Sequence, residues 1–354
     1  MNSKAIQNIR YFIENVCKGI KAYISAMRTA SAKVRGSSLA VLLMVGMALS
    51  MMNPFAAEAR STELTIPGDH GKLAAIMQTP DNRDTYPMVI IMHGFSASKD
   101  GALLKLIADD LEQNGIASIR FDFNGHGDSD GRFEDMTVLN EISDARHVYE
   151  FLKEDASNRN VITSISLVGH SQGGVVASML AGELAKEQGS KVINSVVLLA
   201  PAGNIADGLI GSNFFSFQFD TEQLPEVVEL PSGLRIGRDY FKTAYNLPIY
   251  DTAKQYEGPV EIIQGSADEV VPERYRRRFE RAYGDKRAEL HVLDGYDHEF
   301  TQNRQAVAQM VTDFVKTKAE ATANGSSSDL MGTINSWWRQ AVHWLAQIRT
   351  LLGV

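Results

Sequence analysis

Cys17 is the only cysteine in 354 residues. That excludes an intramolecular disulfide framework and a cysteine-based zinc site. Positive charge is also scarce. Thirty-five Lys and Arg stand against 43 Asp and Glu, so no basic excess points to nucleic acid. The apolar heart of the N-terminal region, Leu39–Met52, has 14 residues, short of the roughly 20 that a membrane-spanning helix needs. Tryptophan is confined to Trp337, Trp338 and Trp344, near the other end. What remains is ordinary: 44% apolar and 22% charged residues, the balance of a globular chain rather than a disordered, collagen-like or polytopic one.

The first 59 residues read as a leader. Seven bases and one acid lie in 1–35, an uncharged stretch runs from Gly36 to Ala57, and Asn53-Pro54 and Ala57-Glu58-Ala59 follow it. Basic region, short apolar region and small-x-small site is the order of a secretory signal. Cleavage after Ala59 is expected, an uncleaved anchor being the rival. Cleavage leaves 28 bases against 41 acids, a net of −13, and no cysteine. An exported protein, periplasmic or secreted, gains from lacking a free thiol. At the far end, 319–329 reads as an Ala/Gly/Ser linker. Beyond it Leu330, Ile334, Trp337, Ala341, Trp344, Ile348 and Leu351 recur at helical spacing, an amphipathic helix for a membrane surface or for packing back on the domain.

Residues 60–318 read as one α/β domain. Met88–Met92, Ser118–Phe121, Ile165–Val168, Val196–Leu199 and Val260–Ile263 are short apolar runs, the pattern of buried parallel strands. Leu64–Ile66 and Leu73–Met77 suggest an opening antiparallel pair, and Leu290–Leu293 a closing strand. Leu103, Leu104, Ile107 and Leu111 make one helical stripe, and Thr137 starts a helix carrying Ile142, Ala145, Val148 and Phe151. Alternating strands and helices predict a mostly parallel sheet with helices on both faces, and a site at the carboxyl ends of the strands. The interval 203–258 breaks the alternation and carries Phe214, Phe215, Phe217 and Phe219; it is expected to be a lid.

The chemistry gathers after strands. Gly169-His170-Ser171-Gln172-Gly173 joins a strand to a helix expected to begin near Gly174. In that setting G-x-S-x-G lifts the serine hydroxyl above the sheet. The hydroxyl needs a base, and His298, after the last strand, is the candidate. Asp268 follows the preceding strand and is the acid to orient that histidine, with Glu269 its nearest alternative. Two backbone N–H groups must hold an oxyanion. Gln172 and Phe95, the latter in the loop His93-Gly94-Phe95-Ser96, are placed to supply them. No metal or organic cofactor is required. His126 is expected to be structural.

The order Ser171, Asp268, His298 and several longer stretches resemble the α/β-hydrolase superfamily, and within it the bacterial feruloyl (cinnamoyl) esterases. The stretches are His93–Phe95, Phe121–Gly131, Phe133–Glu141, Gly169–Leu180 and Leu247–Tyr250. The resemblance spans about Thr62 to Lys318. It implies an α/β-hydrolase fold with a small lid, and a serine carboxylic-ester hydrolase acting on a small-molecule ester. It also implies that a lid tyrosine and aspartate contact the ring hydroxyl, for which Tyr240 and Asp207 stand here. The Phe214–Phe219 cluster, Arg235 and Arg238 depart from the family. A lipase, thioesterase or serine peptidase would share the triad. An acyltransferase or a non-catalytic binding protein on this fold are the remaining alternatives.

Overall fold

The computed structural model describes residues 60–81, 83–159, 161–207, 224–230, 233–284 and 286–324. The expected leader at 1–59, the Phe214–Phe219 cluster and the expected amphipathic helix at 330–354 lie outside the described residues. No helix among the described residues is long and apolar enough to cross a membrane.

Ten strands form among the described residues: β1 (Arg60–Gly68), β2 (Gly71–Thr79), β3 (Tyr86–Met92), β4 (Ala117–Phe121), β5 (Ile162–His170), β6 (Val196–Leu199), β7 (Val227–Glu229), β8 (Arg235–Gly237), β9 (Val260–Gly265) and β10 (Ala288–Leu293). Eight make one sheet in the order β1-β2-β4-β3-β5-β6-β9-β10. The β1–β2 and β2–β4 pairs are antiparallel and the rest parallel. Every expected strand is present, and the opening pair is longer than its apolar centre suggests. The extension is polar because it lies on the outer edge, where one face meets water.

Successive residues of the central strands point to opposite faces. Ile90, Leu167, Leu198 and Ile262 pack on one side with α2 (Val138–Arg159), α3 (Gln172–Gln188) and α6 (Glu273–Tyr283). Ile91, Val168, Leu199 and Ile263 pack on the other, with α1 (Ala102–Gln113) and α7 (304–324). Burial on both faces is why these strands read as unbroken apolar runs. Thr137 caps α2 as expected: its Oγ1 accepts the Asn140 amide at 3.1 Å, satisfying one of the donors a helix start leaves free.

Two boundaries differ from the sequence reading. Helix α3 begins at Gln172, directly after Ser171, rather than near Gly174. Gly173 and Gly174 lie in its first turn, packed closely on the end of β3 and on Pro201. The expected linker at 319–329 is helical through 324. Ala319 is buried and the Thr322 hydroxyl bonds Asn194 Oδ1 at 2.6 Å. Alanine favours helix as strongly as any residue, and here it docks the last turns on the domain. Between β6 and β9 there is no parallel strand among the described residues. The antiparallel β7–β8 pair, α4 (Arg238–Ala244) and α5 (Ile249–Ala253) occupy this segment.

One acid in this sheet makes stability depend on pH. Glu261 on β9 is buried, its Oε1 lies 3.3 Å from His291 Nε2, and its Oε2 has no protein partner. Burial raises its pKa from the ordinary 4.5 to about 8, with Glu289 adding to the effect. The folded state therefore holds a proton that the unfolded chain releases, and stability falls as pH rises between those values. Thermal melts of Glu261→Gln should decline less steeply over that window than those of the parent. An unchanged slope would show that Glu261 is ionised throughout.

Candidate active site

Ser171 sits between the end of β5 and the first residue of α3 with φ 55° and ψ −117°. A non-glycine residue in this region is strained and persists only where the surroundings hold it. Here they do. The Ser171 amide donates to Leu199 O at 2.8 Å, and its carbonyl accepts from Gly174 and Ala202, each at 3.0 Å. A Cβ at Gly169 would meet Gly173 O at 2.1 Å, and one at Gly173 would meet His93 O at 2.4 Å. The bend closes only with glycine at both positions.

Two further strand ends complete the arrangement. His298 Nε2 lies 2.9 Å from Ser171 Oγ, and His298 Nδ1 lies 2.9 Å from Asp268 Oδ2. The carboxylate brought to the imidazole is that of Asp268, not of its neighbour Glu269. Asp268 is itself held. Its Oδ1 accepts the Val270 and Val271 amides at 2.9 Å each, and its Oδ2 accepts Gln264 Nε2 at 3.1 Å. An acceptor-only carboxylate at Nδ1 assigns the proton there, leaving the Nε2 lone pair for the serine hydroxyl. His170 adds a second restraint, its ring N–H donating to the His298 carbonyl at 2.9 Å. Burial first, and then His298, lower the His170 pKa to about 4, so this ring stays neutral.

The loop after β3 lies against the serine: a Cβ at Gly94 would come within 2.9 Å of Ser171 Cβ. His93 donates through Nδ1 to Gly94 O at 2.8 Å and accepts the Phe123 amide at Nε2, 3.2 Å away. Burial, then the neighbouring His126, push its pKa down to about 3. His126 is buried beside it, ring centroids 4.9 Å apart, consistent with a structural part. The Phe95 ring meets Phe133 at 5.4 Å and Tyr240 at 5.7 Å. The Gln172 amide opens α3, where no intrahelical acceptor exists for it.

The lid candidates part company. Tyr240 is 1% exposed, and its hydroxyl donates to Gln172 Oε1 at 2.6 Å. It is brought to Gln172, the residue after Ser171, and its hydroxyl is engaged there by the protein. Asp207 faces α6, accepting from Tyr275 Oη at 3.1 Å and pairing with Arg278 at 3.0 Å. Arg235 pairs with Glu134 at 3.2 Å, and Arg238 donates to Pro225 O at 3.3 Å.

Sequence reasoning missed the support beneath the loop. Lys99 Nζ bonds Asp122 at 2.9 Å and Asp128 at 2.6 Å. Asp122 Oδ1 accepts the Lys99 amide, and Arg120 donates to Lys99 O, both at 2.6 Å. Burial opposes the charge on Lys99, but the carboxylates of Asp128 and Asp122 outweigh it and hold its pKa up. An arginine inside a strand and an aspartate at its end were the available signals. A buried charge is costly unless paired. Glu141 was missed as well. It is buried and accepts Gln172 Nε2 at 2.8 Å.

Among the described residues, His170, His298 and Glu299 form a group close enough to share a metal ion. His298 already uses both ring nitrogens, on Ser171 and Asp268. The arrangement is suited to moving a proton.

Known proteins share this framework. The family described as serine aminopeptidase, S33, matches residues 84–224. Est1E from Butyrivibrio proteoclasticus, solved with ferulic acid bound, aligns with a TM-score of 0.65 at 28% identity, covering 72% of this chain and 98% of that one. The mitochondrial palmitoyl-protein thioesterase ABHD10 of Bos taurus is 27% identical over 52% of this chain and 58% of its own length. The lysophosphatidylserine lipase ABHD12 of Xenopus tropicalis is 23% identical over 65% of this chain and 58% of its own. The chain thus spans less than two thirds of these curated relatives. Sheet order, strand-end site and similarity agree: the chain has the α/β-hydrolase fold and resembles the feruloyl esterases that share it.

Proposed function

We propose that this chain is a serine carboxylic-ester hydrolase that works through an acyl-enzyme on Ser171, with feruloyl or cinnamoyl esters as its substrate class. The observation that carries the reading is the unbroken chain Asp268–His298–Ser171, with 2.9 Å at each step, ending on a serine in a strained turn.

His298 Nε2 takes the hydroxyl proton as Ser171 Oγ attacks the ester carbonyl carbon. Asp268 holds the productive tautomer and stabilises the imidazolium. The Phe95 and Gln172 amides receive the oxyanion. Collapse breaks the C–O bond to the alcohol, which leaves with the proton from His298. Water, deprotonated by the same imidazole, then releases the acid and restores Ser171. The Phe95, Phe133 and Tyr240 rings beside the serine loop suit a flat aromatic acyl group. Relatives named for palmitoyl-protein thioesterase and lysophosphatidylserine lipase activity make long-chain acyl groups the competing class. The basic region, short apolar region and small-x-small site within 1–59 support an exported protein, periplasmic or secreted. The spacing of apolar residues and tryptophans in 330–354 supports contact of that segment with a membrane surface.

The full chain should hydrolyse methyl ferulate faster, by kcat/KM, than a long-chain nitrophenyl ester, a thioester or a peptide amide. Preference for the long-chain ester or the thioester would keep the chemistry and remove the feruloyl assignment. Ligand binding with no turnover of any panel member would favour the binding-protein alternative.

A further inference from the structure

The two residues assigned to the oxyanion hole share one outside contact, Tyr240. Gln172 is buried, and its side-chain amide is fully committed. Its Oε1 accepts Tyr240 Oη at 2.6 Å, from α4 in the β6–β9 segment, and its Nε2 donates to Glu141 Oε2 at 2.8 Å, from α2. The Tyr240 ring also packs on Phe95, centroids 5.7 Å apart. Tyr240 thus touches Gln172 with its hydroxyl and Phe95 with its ring. Glu141 anchors the far side of Gln172.

We infer that Glu141 and Tyr240 are positioning residues that clamp the oxyanion hole, so that packing of the β6–β9 segment is coupled to the geometry of catalysis. The inference rests on the ester-hydrolase reading above, with Phe95 and Gln172 as the oxyanion donors. The physical argument is one of aim. An amide stabilises the transition state only when directed at the developing charge, and small displacements cost large factors in rate. The Gln172 amide and side chain share one Cα, so fixing the side chain at both ends fixes the start of α3. A tyrosine hydroxyl spent on Gln172 is also not free to receive a substrate hydroxyl.

Glu141 has the character the clamp requires. Burial, with a smaller contribution from Asp144, raises its pKa to about 8, so a neutral carboxyl faces Gln172 at pH 7. Glutamine at this position reproduces its shape and its acceptor.

The test uses the full-length protein and a short aliphatic nitrophenyl ester, whose acyl group has no ring hydroxyl. Tyr240→Phe and Glu141→Leu should each lower kcat by about tenfold or more while leaving KM within about twofold, and Glu141→Gln should stay near the parent. Melting curves confirm that each variant is folded, and Tyr240→Phe, which removes one oxygen, tests the clamp if Glu141→Leu does not fold. A Tyr240→Phe defect confined to the KM of hydroxylated aromatic esters would overturn the clamp and make Tyr240 a substrate contact. Parent-like kcat in Glu141→Leu, or equal losses in Glu141→Leu and Glu141→Gln, would also overturn it. Ser171→Ala is run alongside. Turnover lost in Ser171→Ala but untouched in the clamp variants sinks the clamp alone. Turnover indifferent to Ser171 sinks the hydrolase reading with it.

Discussion

Ser171→Ala is expected to lower kcat on a short nitrophenyl ester by at least about 10⁴-fold and to leave the fold intact. The size follows from what is removed. In the proposed mechanism serine supplies the atom that bonds the acyl carbon, and neither His298 nor the amides proposed for the oxyanion can replace it. The fold survives because the strain at position 171 is held by backbone, not by the hydroxyl. The Leu199 carbonyl and the Gly174 and Ala202 amides hold the same backbone atoms, and alanine keeps the Cβ that packs on Gly94. His298 loses one partner but keeps Asp268 at Nδ1 and His170 at its carbonyl. A stopped assay and a melting curve on the same sample read both statements. Adding His298→Ala should cost little more, since the triad acts as a unit. Turnover surviving in Ser171→Ala at more than about a hundredth of the parent rate would place the nucleophile elsewhere.

The second large effect is on stability. Gly169→Ala should destabilise the domain by about 3 kcal/mol or more, a fall in melting temperature on the order of 10 °C. The added methyl would lie 2.1 Å from Gly173 O, 2.4 Å from Gly173 C and 2.7 Å from Gly174 N. All three are backbone atoms at the start of α3, so no side chain can swing aside. Either β5 separates from α3 or the turn at Ser171 opens, and activity falls with stability in both cases. Gly101→Ala is the control. There the nearest atom is Ser98 O at 3.4 Å, an ordinary contact, and the expected change is within about 1 kcal/mol. Equal melting temperatures for Gly169→Ala and the parent would show that the elbow has slack.

Much of this site was legible in one dimension, for a definite reason. The expected triad members lie just beyond β5, β9 and β10, each a short strand with turn-forming neighbours. Parallel strands buried on both faces announce themselves as apolar runs, and their carboxyl ends converge on one edge of the sheet. Ser171, Asp268 and His298 could therefore be nominated from local pattern and chain order alone. Glu269 could not be set aside that way, because adjacent carboxylates differ only in direction. The Val270 and Val271 amides and Gln264, which turn Asp268 toward His298, belong to the folded loop.

The parts that escaped local pattern are those defined by distant partners. Lys99 and Asp122 are 23 residues apart, and Glu141 and Gln172 are 31 apart. In the sequence each is an ordinary polar residue. Alanines 319, 321 and 323 read as linker until helix α7 is seen docked through Ala319 and Thr322. Asp207 was carried over from a resemblance through a segment of variable length, and the structure turns it to Arg278.

The sequence by itself determined the α/β class, the strand order in time, the glycine-bounded serine turn and the three groups that share the proton. These follow from apolar periodicity, turn chemistry and side-chain function, all of which act over a few residues. Only the tertiary structure decided which carboxylate meets the histidine, what holds the loop at Phe95, and that Tyr240 and Glu141 close on Gln172. Such contacts arise when separate elements pack, and their energies depend on burial and distance that no short stretch of sequence contains.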